Sequence, residues 1–146
     1  MKQRNEFICL VIFEMIITSC CSINQLTPPY FITEKSINVG EYENVYSFVG
    51  ASILIYNNSK KNIEKMTITF NLYDEDENYV GYGTNVICTD FTGSIEPKAS
   101  KKIIINLDDV LGTNVNEGVQ MDFVYIKQIT YSDGTVWSDP FGLFAL

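Results

Sequence analysis

The sequence contains no histidine, and this absence removes several classes of chemistry. Serine–histidine and cysteine–histidine nucleophile pairs, imidazole bases and histidine-ligated zinc or iron all need that side chain. Basic residues are also scarce, with 10 Lys and Arg against 18 Asp and Glu and a net charge of −8. An acidic surface repels phosphate backbones, so we expect no nucleic-acid partner. Any enzymatic reaction would have to use carboxylates, lysine, tyrosine or Cys88.

Long helical patterns are missing too, because after residue 40 no apolar stripe at helical spacing exceeds about two turns. The segment 66–74 alternates instead, which predicts a half-buried β-strand. Its inward positions are Met66, Ile68, Phe70 and Leu72. Other short strands separated by turns follow, and without crossover helices antiparallel pairing is favoured. We predict an all-β fold, an immunoglobulin-like antiparallel β-sandwich of about seven strands over residues 41–146.

Three details of the strand pattern make sharper predictions. Tyr79–Cys88 alternates as one strand, and its parity places Cys88 among inward-facing apolar residues as a buried free thiol. Gly50 is a candidate β-bulge within the strand 45–56. The tripeptide Thr92-Gly93-Ser94 indicates a loop.

Two turns are also predicted in the second half of the domain. Asp108 or Asp109 is expected to cap a single helical turn that Gly112 ends. The dipeptide Asp133-Gly134 matches a two-residue type I′ hairpin loop. That loop would pair Tyr131 with Val136 and Thr130 with Trp137.

The N-terminus has the layout of an export signal. Lys2 and Arg4 precede an apolar run over residues 7–17, which is too short to span a bilayer. Ile17-Thr18-Ser19-Cys20 then resembles the lipobox of bacterial lipoproteins, in which the peptide is cut before the cysteine that receives diacylglycerol. Glu14 departs from the pattern, because a charge is costly inside the apolar run.

The lipobox resemblance implies a lipoprotein signal peptide over residues 1–19 and lipidation of Cys20. It places the protein at a bacterial cell membrane or outer membrane, anchored by lipid and facing a non-cytoplasmic compartment. Residues 20–40 contain Pro28-Pro29 and predict an extended tether, in which Tyr30–Ile32 could form a first short strand. The alternative is a frayed N-terminal helix on a cytosolic protein.

The central strand carries a second resemblance. Phe70-Asn71-Leu72-Tyr73-Asp74 looks like the signature of the FxLYD domain, a small β-sandwich of bacterial lipoproteins and other envelope proteins. Asn57-Asn58-Ser59 upstream, and a C-terminal pattern that ends in Asp133-Gly134-Thr135-x-Trp137, extend the resemblance over about residues 48–138. The acidic run Asp74–Asn78 is longer than a tight turn needs. The family has no assigned catalytic residues, so the resemblance implies fold and location rather than activity.

The acidic run is the one candidate for a metal. Asp74, Asp76 and Asn78 have the spacing of the opening of a calcium loop. Tyr79 stands where such a loop requires glycine, and Asn85 stands where it requires a bidentate glutamate. The three residues are therefore a weak calcium candidate, and we expect a solvated hairpin tip with no metal and no cofactor.

Three aromatic residues near the last hairpin are candidates for an interaction surface: Tyr125, Tyr131 and Trp137. Rings exposed together would suit a protein or glycan partner. Cross-strand packing is the alternative, and strand parity favours it. By parity Trp137 falls on the side of Val124 and Ile126, whereas Tyr125 and Tyr131 fall on the other.

The anchor pattern, the all-β fold and the missing histidine favour a non-catalytic interaction or structural module of the cell envelope. Its partners would be the membrane, through the lipid anchor, and an unknown envelope protein or glycan. A carboxylate-based envelope hydrolase would need two carboxyls about 5–10 Å apart across a groove. A periplasmic solute or calcium binder at the acidic tip is a further alternative. Cys21 and Cys88 could pair or stay free in an oxidising compartment.

Overall fold

The computed structural model describes residues 27–42, 46–80, 85–112 and 118–146. Within those ranges the chain forms seven β-strands and one short helical turn. The elements are β1 (Tyr30–Tyr42), β2 (Tyr46–Asn57), β3 (Ile63–Tyr73), β4 (Val86–Ile95), β5 (Ser100–Asn106), α1 (Asp108–Leu111), β6 (Gln120–Tyr131) and β7 (Val136–Ser138).

The strands form two antiparallel sheets that pack face to face. One sheet has the order β1-β2-β5 and the other the order β4-β3-β6-β7. Labelled in chain order, these are the A-B-E and C-F-G neighbour relations of immunoglobulin sandwiches, with β4 added beside β3. The prediction of an all-β antiparallel sandwich of about seven strands is confirmed.

The central strand β3 has the predicted orientation. Met66 is 2% exposed, and Ile68, Phe70 and Leu72 are fully buried. The opposite sheet contributes the inward side chains of β2, among them Ile53 and Ile55, which are also fully buried. Because β3 pairs with β4 on one side and β6 on the other, its apolar face lies in the middle of the core.

The N-terminal boundary of the folded body lies earlier than the sequence predicted. Tyr30–Tyr42 is a 13-residue edge strand that pairs with β2, so the segment 20–40 is not a tether along its whole length. Tyr30 itself is 2% exposed and belongs to the core. The predicted signal peptide 1–19 and Cys20 lie outside the described residues. No helix in the described part of the chain is long and apolar enough to cross a membrane.

Strand β4 corrects two predictions. It begins at Val86, so the parity counted from Tyr79 does not carry through, and Ile87 faces the core instead of Cys88. Cys88 is an exposed free thiol on this edge strand. The predicted loop at Thr92-Gly93-Ser94 is also wrong, because these residues continue β4 up to its end at Ile95.

The predicted bulge at Gly50 is absent as well. Gly50 pairs in register with Asn38 on one side and Asn106 on the other. The irregularity between β1 and β2 falls instead between Ile32 and Glu34. A glycine inside a strand therefore marks no bulge here.

The helical turn α1 forms as predicted, but without the predicted cap. Leu107 occupies the N-cap position, and no side chain caps the turn. The carboxylate of Asp108 instead accepts the Val49 N–H at 2.8 Å, which ties the turn to β2. Gly112 ends the turn with a φ of 72°, as expected of a residue without a Cβ.

The final hairpin has a loop one residue longer than predicted. The Gly134 N–H donates to the Tyr131 carbonyl, and the Tyr131 N–H donates to the Thr135 carbonyl. Within the loop only Gly134 has a positive φ, 80°, whereas a type I′ turn needs two such residues. The extra residue moves the register, so Thr130 pairs with Val136, and Trp137 pairs with the residue before Thr130.

A buried asparagine connects the two sheets at one end of the sandwich. Asn57, the last residue of β2, is fully buried. Its side-chain nitrogen donates to the carbonyls of Lys61 (2.9 Å), Ile95 (2.9 Å) and Glu96 (3.2 Å). Its side-chain oxygen accepts the Ser59 N–H at 3.0 Å. One side chain thus satisfies polar groups of the β2–β3 loop and of the segment that follows β4.

Candidate binding surface

An open cavity of about 920 Å³ lies at the end of the four-stranded sheet where β3 stops and β6 begins. Tyr73, the last residue of β3, pairs with Gln120 of β6 and forms a bridge with Tyr79 on the returning chain. Sheet pairing therefore holds the tip after β3 beside the first residues of β6. The wall of the cavity combines carboxylates of both segments with exposed aromatic rings.

The tip is organised around the carboxylate of Asp74. One of its oxygens accepts the Asn78 N–H at 2.8 Å and the Asp76 N–H at 3.0 Å. The Asn78 N–H, ahead of the other donors, lowers the pKa of the Asp74 carboxyl below its ordinary value. The Glu77 N–H donates to the Asp74 carbonyl at 3.2 Å, and the left-handed φ of Glu77, 62°, turns the following chain back towards Asp74. The tip is thus closed by its own hydrogen bonds.

This geometry does not gather the weak calcium candidates around one point. The amide nitrogen of Asn78, a donor, faces the Asp74 carboxylate at 3.2 and 3.3 Å. The Asp74 oxygen nearest to Asp76 already accepts two main-chain N–H groups. In the described ranges no three acidic or cysteine side chains come together in a way that could hold a metal ion.

Two aromatic rings stand on the cavity wall with most of their surface in solvent. Tyr79 is 73% exposed, and its ring meets the Tyr73 ring with centroids 5.5 Å apart. Phe123 is 56% exposed on the β6 side. Large rings of this kind supply much of the contact energy in binding interfaces.

Phe123 is exposed because β6 contains a bulge at that point. Thr69 pairs with Tyr125 and Asn71 pairs with Asp122, so two residues of β6 lie opposite one residue of β3. Phe123 takes a φ of 50°, a left-handed conformation that costs a bulky residue roughly 1–2 kcal/mol. The bulge turns the ring outward while the following residue, Val124, is fully buried.

Lys35 of β1 lies on the rim of the cavity. The Lys35 Nζ lies 3.8 Å from a carboxylate oxygen of Asp122 and donates to the Leu146 carbonyl at 3.2 Å. Both members of the ion pair are partly exposed, so the pair contributes little to stability. The other charged lining residues, Asp74, Glu75 and Glu77, are acidic, which leaves the cavity with a negative surface.

The three aromatic residues predicted as an interaction surface have different surroundings. Trp137 packs edge-on against the buried Tyr30 ring, with centroids 5.7 Å apart. Tyr131 is 7% exposed, and burial is the main reason why its pKa is raised. Tyr125 is half-buried beneath the chain at Gly142. Trp137 lies on the inward side with Val124 and Ile126, as the predicted parity requires. The other half of that prediction is wrong, because Tyr131 is buried on the same inward side.

The rings that do share a surface, Tyr79 and Phe123, were not singled out from the sequence. A signal for the bulge is nevertheless present in β6. Its buried positions 121, 124, 126, 129 and 131 are separated by steps of three, two, three and two, and the first step of three spans Phe123. A break in strand periodicity indicates an irregularity in the strand, and such irregularities redirect neighbouring side chains.

Comparisons with known proteins establish the fold alone. No protein-family model matches this chain, and no curated protein matches it. A crystal structure of a hypothetical protein from Peptoclostridium difficile 630 is similar, with a TM-score of 0.59 and 16% sequence identity. The similarity covers 77% of this chain and 87% of that chain. At this level of identity the shared property is the two-sheet β architecture.

Proposed function

We propose that this chain is a lipid-anchored protein of a bacterial cell envelope whose β-sandwich is a non-catalytic interaction module. The observation that carries the proposal is the order of the sequence. A basic start, a short apolar run and the lipobox-like Ile17-Thr18-Ser19-Cys20 stand directly ahead of the sandwich that begins at Tyr30. Cleavage before Cys20 would remove the signal peptide, and the folded domain would stay attached to the membrane through the lipid on Cys20.

The cavity at the start of β6 is the surface we assign to the partner. Phe123 and Tyr79 expose more than half of their side chains on its wall. The strained φ of Phe123 lowers the stability of the free domain, and the exposed ring regains little of that free energy through packing. Contact with an envelope protein or a glycan would bury both rings and explain why the strain is tolerated.

Catalysis is the weaker assignment for the same cavity. The sequence has no histidine, and hydrolysis by two carboxyls would need one of them protonated near neutral pH, which requires a raised pKa. The carboxyl of Asp74 has a lowered pKa instead, because main-chain N–H groups stabilise its charged form. The presence of Glu75, Glu77 and Asp122 on the wall is what keeps a carboxylate hydrolase as the alternative.

Metabolic labelling with radioactive palmitate tests the anchor. We expect the wild type and Cys21→Ala to incorporate label, and Cys20→Ala to lose it. Cys21→Ala is the matched control, because it removes the neighbouring thiol and leaves the proposed acceptor. Equal labelling of all three proteins would contradict the proposal.

Crosslinking in intact cells tests the binding surface. Phe123→Asn keeps a residue that tolerates a left-handed φ, so we expect normal folding and loss of the crosslinked partner. Val136→Ser changes an equally exposed residue, 56%, on the last hairpin and should keep the partner. Unchanged capture by Phe123→Asn and Tyr79→Ser would exclude this cavity as the interaction surface. Turnover of envelope glycans that depends on Glu75 or Asp122 would favour the hydrolase.

A further inference from the structure

The C-terminal segment and the start of β1 carry several exposed apolar side chains. The C-terminal segment runs beside β6, and Leu146 exchanges two main-chain hydrogen bonds with Val124 at 3.0 and 3.1 Å. The apolar flank, as we call it, consists of Phe31 and Leu146, which line one groove, and of Phe141 and Leu143 in the loop that leads to that groove. The exposed fractions are 44% for Phe31, 85% for Phe141, 78% for Leu143 and 57% for Leu146.

The loop that carries two of these residues is held in a fixed shape. Asp139 is 3% exposed, and its carboxylate accepts the Phe144 N–H at 3.1 Å. The Phe144 ring lies against Trp137, with centroids 6.2 Å apart. Phe141 and Leu143 project outward on either side of a glycine whose φ is 66°. Their exposure is thus a consequence of an ordered loop closed by hydrogen bonds.

The flank is continuous with the point where the chain enters the folded body. Pro28, Phe31 and Leu146 line the same shallow apolar groove of about 360 Å³. The Asn58 N–H donates to the Pro29 carbonyl at 2.8 Å, which fixes the entering chain at this place. The start of the domain therefore lies beside the end of the C-terminal segment that carries the flank.

Chain length then limits how far this part of the domain can lie from the lipid. The seven residues from 20 to 26 separate Cys20 from the described chain. Fully extended, they span at most about 25 Å. That length is shorter than the diameter of the domain, since a body of about 100 residues has a radius of gyration of about 13 Å.

We propose that the apolar flank rests on the bilayer surface beside the lipid anchor, with Phe141 and Leu143, its most exposed residues, in contact with lipid. This inference rests on the proposed anchor at Cys20. The protein has a net charge of −8, so attraction to anionic lipid cannot supply the contact. The contact depends instead on apolar side chains and on the high local concentration of bilayer that the anchor imposes.

The orientation has a consequence for the binding surface. Lys35 lies between the two regions, because it contacts Leu146 of the flank and Asp122 of the cavity. A domain lying on its flank would hold the cavity beside the membrane surface. A partner bound there would be one that is itself close to the bilayer.

Site-specific photocrosslinking of the full-length protein in its own membrane tests the inference. A benzophenone amino acid is placed at position 143 and, in a matched protein, at position 104. Ile104 is an exposed apolar residue, 38%, on the opposite edge strand β5. We expect at least about fivefold more crosslinking to radiolabelled phospholipid at 143, because only the flank reaches the interfacial layer.

A second variant shows whether the apolar surface itself is responsible. With the crosslinker at position 31, Leu143→Ser should lower lipid crosslinking by about threefold or more, whereas Ile104→Ser should not change it. Both residues are exposed, so neither substitution should impair folding.

The same preparations separate failure of this inference from failure of the proposed anchor. Palmitate in the protein together with equal lipid crosslinking at 143 and 104 would overturn the docking of the flank and leave the anchor intact. Crosslinks from 143 to a second copy or to another protein would overturn it in the same way. Absence of palmitate would overturn the anchor and, with it, this inference.

Discussion

Asn57→Ala should lower the free energy of unfolding of this protein by more than the loss of a small buried side chain alone would. The substitution removes a side chain that satisfies three carbonyls and the Ser59 N–H at the end of the sandwich. Water cannot easily replace it, because Asn57 is fully buried and its bond to the Ile95 carbonyl is buried too. The carbonyls of Lys61 and Glu96 keep a second donor, the Ser59 hydroxyl and the Ala99 N–H. The variant therefore removes the partner of two groups, the Ile95 carbonyl and the Ser59 N–H.

The magnitude follows from those orphaned groups. A buried donor or acceptor left unsatisfied costs about 1–3 kcal/mol, so two such groups at Asn57 predict a loss of about 2–6 kcal/mol. A domain of this kind is stable by about 5–15 kcal/mol in total. We expect the melting temperature to fall by roughly 10–20 °C. Asn58→Ala is the control, because the side chain of the half-buried Asn58 accepts one hydrogen bond, from the Lys98 Nζ at a solvent-exposed position. It should cost no more than about 0.5 kcal/mol.

Urea unfolding followed by Trp137 fluorescence measures both variants, since Trp137 is the sole tryptophan. Asn57→Asp adds a second test, because the stability of this variant should depend on pH in a predictable direction. Its carboxylate would face main-chain carbonyls, so folding should raise its pKa above the unfolded value of about 3.9. The loss relative to wild type should be smallest below about pH 4 and grow as pH rises through the folded pKa. Equal losses for Asn57→Ala and Asn58→Ala would refute the role assigned to Asn57.

Three further predictions concern single residues. Tyr30→Phe should cost about 1–3 kcal/mol in urea unfolding, because the Tyr30 oxygen accepts the buried Ile126 N–H at 2.9 Å. Burial raises the Tyr30 pKa to about 12, so the wild type should lose stability from about pH 10 up to that value, and Tyr30→Phe should lack this loss. Asp133→Asn should weaken the decline in stability below about pH 4, because the Lys61 ammonium at 2.7 Å lowers the Asp133 pKa in the folded state; a denaturant series at pH 2–7 measures this. Gly134→Ala should lower stability by about 1 kcal/mol in thermal unfolding, because alanine is strained at a φ of 80°. No further cost from a clash is expected, since no neighbour lies within 4 Å of the added Cβ. An unchanged melting temperature would contradict this interpretation.

The regular alternation of β3 made the core predictable from sequence. Met66, Ile68, Phe70 and Leu72 repeat every second residue, and a strand places such residues on one face whatever its neighbours are. The same rule failed for Cys88, because the count began at Tyr79 and the strand begins at Val86. An alternation pattern gives the face of a strand only when the strand is continuous.

The candidate binding surface was not predictable in the same way. Phe123 and Tyr79 are separated by more than 40 residues in sequence and meet on one cavity wall only because β6 pairs with β3. The acids of the tip are visible in the sequence as a charged run. The sequence does not show that the Asp74 carboxylate is occupied by main-chain N–H groups of the tip itself. Side-chain direction at a bulge depends on the register of the partner strand.

By itself the sequence determined the fold class and the lack of imidazole chemistry, and it supplied the lipobox-like pattern on which the proposed location depends. These properties follow from local composition and from periodicity along one strand at a time. Tertiary structure decided where the folded body begins, which rings face solvent and how close the apolar flank lies to the entering chain. Those properties depend on strand register and on contacts between residues far apart in the chain, which no local pattern specifies.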